Sequence, residues 1–302
     1  MHFSIVKEIR VGGRRYQQDR IGHWSTSDAL LMVVADGMGG YRHGEVAAQV
    51  ALDHLSAEFR RDAKPRLEDP ELFLFCSLGR AHSAILQHAK RAGLPDPPRT
   101  VIVACVVQGG YAYWSHVGDS RLYLVRGGRL LARTRDHTPV QRLVDQGRIR
   151  EEAAPSHPDR NKLLQCLGGY QPPRLEPTAS ARLAKRDIVL LCSDGLWGPL
   201  SQGQILTALL SKDLPAAIPA LASLAEARAG AECDNVSALA MSWGEEEVAP
   251  RDEGHAGAPA AHPLDVRTVP NPEVEYLAMT DEDVEKAIAE IKSALRKGRT
   301  AT

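Results

Sequence analysis

The amino-acid sequence predicts an α+β sandwich, and three observations support that fold class. Of the 302 residues, 43% are hydrophobic and 25% are charged, which is enough apolar material for a sizeable core. Short runs rich in Val, Ile and Leu alternate with longer helical patterns. Residues 101–125 turn back at Gly109-Gly110, a dipeptide typical of hairpins, so neighbouring strands should be antiparallel. A simple alternating parallel sheet does not fit this pattern.

The predicted elements follow in order along the chain. Six strands are predicted from apolar runs bounded by Gly, Asp or Pro, at residues 30–35, 101–107, 111–117, 121–125, 188–192 and 236–242. Five helices are predicted from apolar residues spaced by three and four, at residues 45–59, 71–91, 140–146, 202–210 and 214–227.

The composition changes after Gly244, where we predict a domain boundary. Residues 1–244 form the predicted main domain, residues 245–273 read as a linker rich in Pro, Ala and Gly, and residues 274–302 form a C-terminal segment. Within that segment, Thr280 can cap an amphipathic helix at about residues 281–297. A helix with one apolar stripe must pack on something, either its own domain or a partner protein.

Overall charge excludes some functions. The chain has 37 Lys and Arg against 38 Asp and Glu, so bulk charge gives no case for nucleic-acid binding. The longest hydrophobic stretch, residues 101–118, is too polar to span a membrane. The first residues lack the pattern of a secretory signal and the five cysteines are widely spaced, so we expect a cytoplasmic protein.

Four acidic residues stand at the ends of predicted strands, and each lies in a segment that turns the chain. They are Asp36, Asp119, Asp194 and Asp234. Converging carboxylates repel one another unless cations lie between them, and oxygen ligands favour Mg²⁺ or Mn²⁺. An isolated Asp-Gly is more often a turn than a ligand, so spacing alone leaves the turn and the metal site as alternatives.

The motifs around these acids, taken together, resemble a known family. They are Gln18-Asp19-Arg20, Asp36-Gly37-Met38-Gly39-Gly40, Gly118-Asp119-Ser120-Arg121, Ser193-Asp194-Gly195 and Asp234-Asn235-Val236. These motifs occur in the order of the metal-dependent protein serine/threonine phosphatases, the protein phosphatase 2C-like family, and are similar to its bacterial branch from about residue 6 to residue 243. The resemblance implies a four-layer α-β-β-α sandwich of two mainly antiparallel sheets flanked by helices.

The resemblance also implies a centre of two Mg²⁺ or Mn²⁺ ions. Asp36 would bridge both ions, and the Gly37 carbonyl would hold one of them. Asp194 and Asp234 would complete the ligands of the other ion, while Asp19 would support the centre directly or through water.

Two further roles follow from the same resemblance. Asp119, together with Asp194, would bind a third, weaker ion, and Arg14 would grip the substrate phosphate. The implied reaction is attack on phosphoserine or phosphothreonine by a hydroxide that bridges two metal ions, with Asp36, Asp194 and Arg14 as the catalytic residues. The implied partners are phosphoproteins and a cognate bacterial serine/threonine kinase.

Departures from the family pattern leave alternatives open. Gln18 stands where an acid is usual, and Met38 stands where many eukaryotic members have a histidine proposed as leaving-group acid. The proton could come from water or from a nearby histidine such as His43, or be unnecessary. Two other functions compete with the main hypothesis: a catalytically weak relative that binds a signalling partner through its C-terminal helix, and a hydrolase of small phosphate esters.

Overall fold

The structure is a computed structural model, which describes residues 1–38 and 43–244. The predicted linker at 245–273 and the predicted helix at about 281–297 lie outside the described residues, as do Gly39 and Gly40 of the second motif. The domain division therefore stays a prediction.

Within the described residues the chain forms ten strands and six α-helices. The strands are β1 Phe3–Arg10, β2 Arg20–Ser25, β3 Ala29–Gly37, β4 Thr100–Gln108, β5 Tyr111–Val117, β6 Arg121–Arg126, β7 Arg129–Arg133, β8 Ala179–Arg182, β9 Ile188–Cys192 and β10 Val236–Trp243. The helices are α1 Gly44–Asp62, α2 Pro70–Arg91, α3 Pro139–Asp145, α4 Asp194–Trp197, α5 Gln202–Ser211 and α6 Leu214–Ala229. Short 3-10 helices occur at Glu151–Ser156 and Gly230–Glu232.

The strands form two five-stranded sheets. Sheet 1 has the order β1-β10-β9-β6-β7, and sheet 2 has the order β2-β3-β4-β5-β8. Every pairing is antiparallel, including the hairpin of β4 and β5 that the Gly109-Gly110 turn predicts. The predicted α+β class and the antiparallel sheets are confirmed.

Three apolar layers hold the sheets and helices together. One face of β3 and β4 packs against α1 and α2, through residues such as Leu31, Leu55 and Leu78. The opposite face of sheet 2 packs against sheet 1, and Met32 and Leu239 belong to that central layer. The outer face of sheet 1 packs against α5 and α6. Because strand side chains alternate between faces, each sheet contributes to two layers, which gives the four-layer α-β-β-α sandwich.

The topology brings several chain turns to one end of the sandwich. In sheet 2, the end of β3 pairs with the start of β4, Gly37 opposite Thr100. In sheet 1, Arg10 at the end of β1 pairs with Val236 at the start of β10, and Cys192 at the end of β9 pairs with Arg121. The loops that continue from these strand ends therefore meet, and they carry the acidic motifs.

No helix of the described residues is both long enough and apolar enough to cross a membrane.

Candidate metal and phosphate site

The acidic residues predicted from sequence lie at or next to strand ends, at this common end of the two sheets. Sheet 2 contributes three of them and sheet 1 contributes two, and each is fixed by the strand beside it because the strand backbone is held in the ladder. Asp19 precedes β2, Asp36 lies near the end of β3, Asp119 lies between β5 and β6, Asp194 begins α4 after β9, and Asp234 precedes β10.

Asp36 lies at the centre of this group. Burial raises its pKa well above the ordinary value, and the negative charges of Asp19, Asp194, Asp119 and Asp234 raise it further. The structure therefore brings the other four carboxylates within electrostatic reach of Asp36. A proton or a cation must offset this concentration of negative charge.

The neighbouring acids are affected in the same direction. Burial and the charge of Asp234 raise the pKa of Asp194 to about 6, although Arg14 and a hydrogen bond with Asp36 oppose the rise. Burial and the charges of Asp194 and Asp136 raise the pKa of Asp119 well above the ordinary value. These carboxyl groups therefore ionise less readily than ordinary aspartates, and a bound cation would favour their ionised form.

Asp19 is the most deeply buried of the five, with 1% of its surface exposed. Its Oδ2 accepts a hydrogen bond of 2.8 Å from the Ser193 hydroxyl, which joins the start of β2 to the loop before α4. Burial raises the pKa of Asp19 to about 7 despite that bond. Asp19, which precedes β2 of sheet 2, is therefore hydrogen-bonded to Ser193, which follows β9 of sheet 1.

The donor set suits divalent cations. Five carboxylates supply hard oxygen atoms and an excess of negative charge, which Mg²⁺ or Mn²⁺ would compensate. In residues 1–38 and 43–244, no three His, Cys, Asp or Glu side chains are already gathered as a closed ligand set around one point. The residues fit a metal centre by chemistry and by location, and the ligand assignments for Asp19, Asp36, Gly37, Asp119, Asp194 and Asp234 stay predictions.

Arg14 lies directly beside this acidic cleft. Its Nη2 donates a 2.7 Å hydrogen bond to Oδ2 of Asp234, and about half of the Arg14 side chain, 51%, is exposed. The charges of Asp194 and Asp36 also act on the guanidinium. A solvent-accessible guanidinium beside Asp234, Asp194 and Asp36 can bind a phosphate that approaches cations held by these acids.

Three residues that sequence reasoning left without a role organise the site. Ser193 holds Asp19, and Asn235 binds the backbone of the loop that carries Arg14. Trp197 donates from Nε1 to the Asp119 carbonyl at 3.0 Å. All three lie next to or near a motif acid in sequence, and this position was the only sign in the sequence of a role at the site. Their partners are 42 or more residues away along the chain, so the spacing of residues could not predict the contacts.

The structure also defines the contacts of Gln18, which departs from the family pattern, and of His43, the nearby histidine considered as a proton donor. Gln18 donates from Nε2 to Oε2 of Glu45 at 3.4 Å, and its backbone N–H is bound by Asn235. His43 precedes α1, is 47% exposed, and lies 3.9 Å from Oε1 of Glu45.

Comparison with known proteins gives consistent matches. The family described as protein phosphatase 2C matches residues 11–226. The serine/threonine protein phosphatase PstP of Mycobacterium tuberculosis is 40% identical over 185 residues, which is 60% of this chain and 34% of PstP. Protein phosphatase PhpP of Streptococcus pneumoniae is 27% identical over 251 residues, which is 82% of this chain and 100% of PhpP. A solved structure of the PstP catalytic domain in complex with two manganese ions superposes with a TM-score of 0.66 and 31% identity, covering 80% of this chain and 97% of that one.

The fold and the acidic motifs thus agree with those of relatives that are named serine/threonine protein phosphatases, a class of hydrolases. This chain belongs to the protein phosphatase 2C family. Its match spans about a third of the length of PstP.

Proposed function

We propose that this protein hydrolyses phosphoserine and phosphothreonine in other proteins, with two Mg²⁺ or Mn²⁺ ions and a third, weaker one. The observation that carries the proposal is the convergence of five carboxylates beside Arg14 at one end of the sandwich. Membership of the protein phosphatase 2C family supports the same reaction class.

Each carboxylate has a proposed part in holding the ions. Asp36 is central to the group and would bridge two ions, with the Gly37 carbonyl beside it. Asp194 and Asp234 would complete one ion's ligands, and Asp19, fixed by Ser193, would support the centre. In a separate role, Asp119 would share the third ion with Asp194. Bound divalent ions supply Lewis acidity, which activates a water as nucleophile at neutral pH and withdraws charge from phosphoryl oxygens.

Arg14 would bind the substrate phosphate. Its fork of N–H donors matches the oxygens of a tetrahedral dianion, and its half-exposed side chain can reach a substrate from solvent. Because Arg14 lies 2.7 Å from Asp234, a phosphate held by Arg14 would lie next to the ions. Arg14 would also offset the negative charge that the phosphoryl oxygens carry in the transition state.

The proposed setting is the bacterial cytoplasm, where the enzyme would oppose a serine/threonine kinase. The named relatives PstP and PhpP come from bacteria. The competing hypothesis of a catalytically weak binding module is not favoured, because five mutually repelling carboxylates destabilise the fold and a binding module gains nothing from retaining them.

The test is phosphate release from a phosphothreonine peptide with Mn²⁺. We expect wild-type activity that a chelator abolishes, and a loss of about 100-fold or more in kcat for Asp36→Asn and for Asp194→Asn, since each removes a charge that the ions require. The matched control is Asp28→Asn, at an exposed position in the turn between β2 and β3, which lies at the other end of sheet 2.

Metal-independent turnover, or full activity in both variants, would overturn the mechanism. Activity on p-nitrophenyl phosphate with none on any phosphothreonine or phosphoserine peptide would favour the hydrolase of small phosphate esters instead.

A further inference from the structure

Asn235 occupies a buried position between two functional loops. Only 4% of its surface is exposed, and its side chain uses both its donor and its acceptor atoms. The amide Nδ2 donates to the carbonyl of Val11 at 2.8 Å and to the carbonyl of Tyr16 at 3.0 Å. Oδ1 accepts from the backbone N–H of Gln18 at 2.7 Å. One side chain therefore holds three backbone groups of the segment from residue 11 to residue 18.

Main-chain contacts also join the segment 11–18 to the loop before β10. The N–H of Gly13 donates to the carbonyl of Cys233 at 2.9 Å. Gly12 has a φ of +63°, and a Cβ there would lie 2.2 Å from the carbonyl oxygen of Asp234. The two backbones are therefore in direct contact, which only glycine permits at this position.

Arg14 lies between the points where Asn235 binds. Val11 precedes Arg14 and Tyr16 follows it, so the two hydrogen bonds from Nδ2 fix both ends of the loop at residues 11–16. We call this loop, which carries the Arg14 guanidinium, the arc. Within the arc, the N–H of Arg14 makes a long turn contact of 3.4 Å with the carbonyl of Val11. The Arg14 side chain then reaches back to Asp234, the residue next to Asn235.

The part of the segment nearer to β2 has separate support. Arg20 donates from Nη1 to the carbonyls of Gln17 and Asp19 at 2.9 and 2.8 Å. Gln17 donates to the carbonyl of Arg10 at 2.8 Å. Removal of Asn235 should therefore loosen the arc at residues 11–16 more than the position of Asp19.

We infer that Asn235 is a positioning residue that holds Arg14 in the position and orientation needed to bind the substrate phosphate. The inference rests on the proposed function, which assigns the phosphate to Arg14. The amide acts through the backbone of residues 11–16 and does not itself touch the phosphate. Proper placement of a charged fork matters because bidentate geometry is lost with small displacements.

A double-mutant cycle tests the coupling. The variants are Asn235→Ala, Arg14→Ala and the double variant, and the readouts are KM for a phosphothreonine peptide and the inhibition constant of inorganic phosphate, both at saturating Mn²⁺. We expect each single variant to weaken phosphate affinity by about 10-fold. We expect Asn235→Ala to add less than about 2-fold in the Arg14→Ala background, because the arginine that it positions is already gone.

A second readout is independent of turnover. Amide hydrogen exchange at Gln18 should become faster in Asn235→Ala, which lacks the Oδ1 acceptor, and stay at the wild-type rate in Arg14→Ala. If Asn235→Ala fails to fold, the isosteric Asn235→Asp serves, since it retains an acceptor for Gln18 but loses both donor bonds. It should weaken phosphate affinity while Gln18 stays protected.

The outcomes separate the inference from the proposal that it depends on. Full additivity of the two substitutions, or unchanged Gln18 exchange in Asn235→Ala, would overturn the positioning role of Asn235 while Arg14 keeps its role. Unchanged phosphate affinity in Arg14→Ala would overturn the assignment of Arg14 in the proposed function, and the inference with it.

Discussion

At the scale of single residues, Trp197 connects two of the acid-bearing loops. It ends α4, the short helix that Asp194 begins, and its indole N–H donates to the carbonyl of Asp119 at 3.0 Å. The face of its ring lies 3.5 Å from the Arg121 guanidinium carbon, and Arg121 makes two hydrogen bonds to Asp136. Trp197 thus supports the Asp119 loop by a hydrogen bond to the Asp119 carbonyl and by stacking on Arg121.

Two substitutions separate these contributions. Trp197→Phe keeps a ring over Arg121 but loses the N–H donor, so we expect the free energy of unfolding to fall by about 1 kcal/mol. Trp197→Leu also loses the cation–π contact and should fall by about 1 kcal/mol more. Urea denaturation measures both, and Trp24→Phe in β2 controls for the loss of an indole elsewhere. Equal stability of the Phe and Leu variants would contradict a role for the stacked ring.

Four acids of the site, Asp36, Asp119, Asp194 and Asp234, could be predicted from sequence because each lies within two residues of the end of a predicted strand. Asp19 could be predicted only from the motif that contains it, because β2 was not predicted. The supporting residues could not, because their contacts join segments far apart along the chain. Asn235, for example, binds residues that are 217 or more positions away. Such partners become visible only when the sheets are assembled.

At the scale of elements, the contact of α1 with α2 contains a buried carboxylate. Glu58 in α1 accepts from the Ser77 hydroxyl at 2.5 Å and lies 2.6 Å from Nε of Arg80, both on α2. Burial alone would raise the pKa of Glu58, but hydrogen bonds from His54, Arg80 and Ser77 outweigh burial and lower the pKa to about 2. The ionised carboxylate is therefore part of the interface between the helices.

This interface should weaken in acid. The folded pKa lies below the ordinary value of 4.5, so the contribution of Glu58 is complete above about pH 4.5 and disappears as the pH falls towards 2. The difference corresponds to about 3 kcal/mol. Urea denaturation should show a lower free energy of unfolding for Glu58→Gln than for wild type at pH 5. The difference between the two proteins should be smaller at pH 3. The exposed Glu68→Gln is the control, and a deficit independent of pH would contradict the expectation.

The strands and helices show where sequence patterns suffice. All six predicted strands and all five predicted helices are present, with bounds that differ by at most three residues. Four strands were not predicted, β1, β2, β7 and β8. All four are edge strands, and they are only partly buried or short, so they lack the continuous apolar run that marks a central strand. The short helix α4 was also missed, because four residues are too few for a periodic pattern.

At the scale of the whole molecule, the charge is divided between two parts. Residues 245–302 hold 7 Lys and Arg against 13 Asp and Glu, which leaves that segment at about −6 and residues 1–244 at about +5. The described residues contain three complete apolar layers. We therefore expect a chain truncated after Gly244 to fold and to hydrolyse phosphopeptide. Loss of the cooperative unfolding transition, seen by calorimetry, would show instead that the C-terminal segment is needed for folding.

The acidic cleft opposes the stability of the same molecule. Asp36 is surrounded by four other carboxylates, and burial and their charges disfavour its ionised form. At neutral pH without metal, this repulsion should reduce the free energy of unfolding. Divalent ions bound only by the folded state should reverse that effect, since ligand binding to the native state stabilises it.

The substitution Asp36→Asn should therefore have opposite effects with and without metal. In the presence of a chelator, loss of the central charge relieves repulsion, and we expect the variant to be more stable than wild type by about 1 kcal/mol. With Mn²⁺ at about 100 times its dissociation constant, wild type should gain about 2.7 kcal/mol, while the variant gains little. Thermal unfolding measures all four states, with Asp28→Asn as a control that should follow wild type. An equal rise in stability with Mn²⁺ in wild type and in Asp36→Asn would mean that the ions bind elsewhere. If the ions bind at this site, the same five carboxylates must account both for the repulsion without metal and for the stabilisation with it.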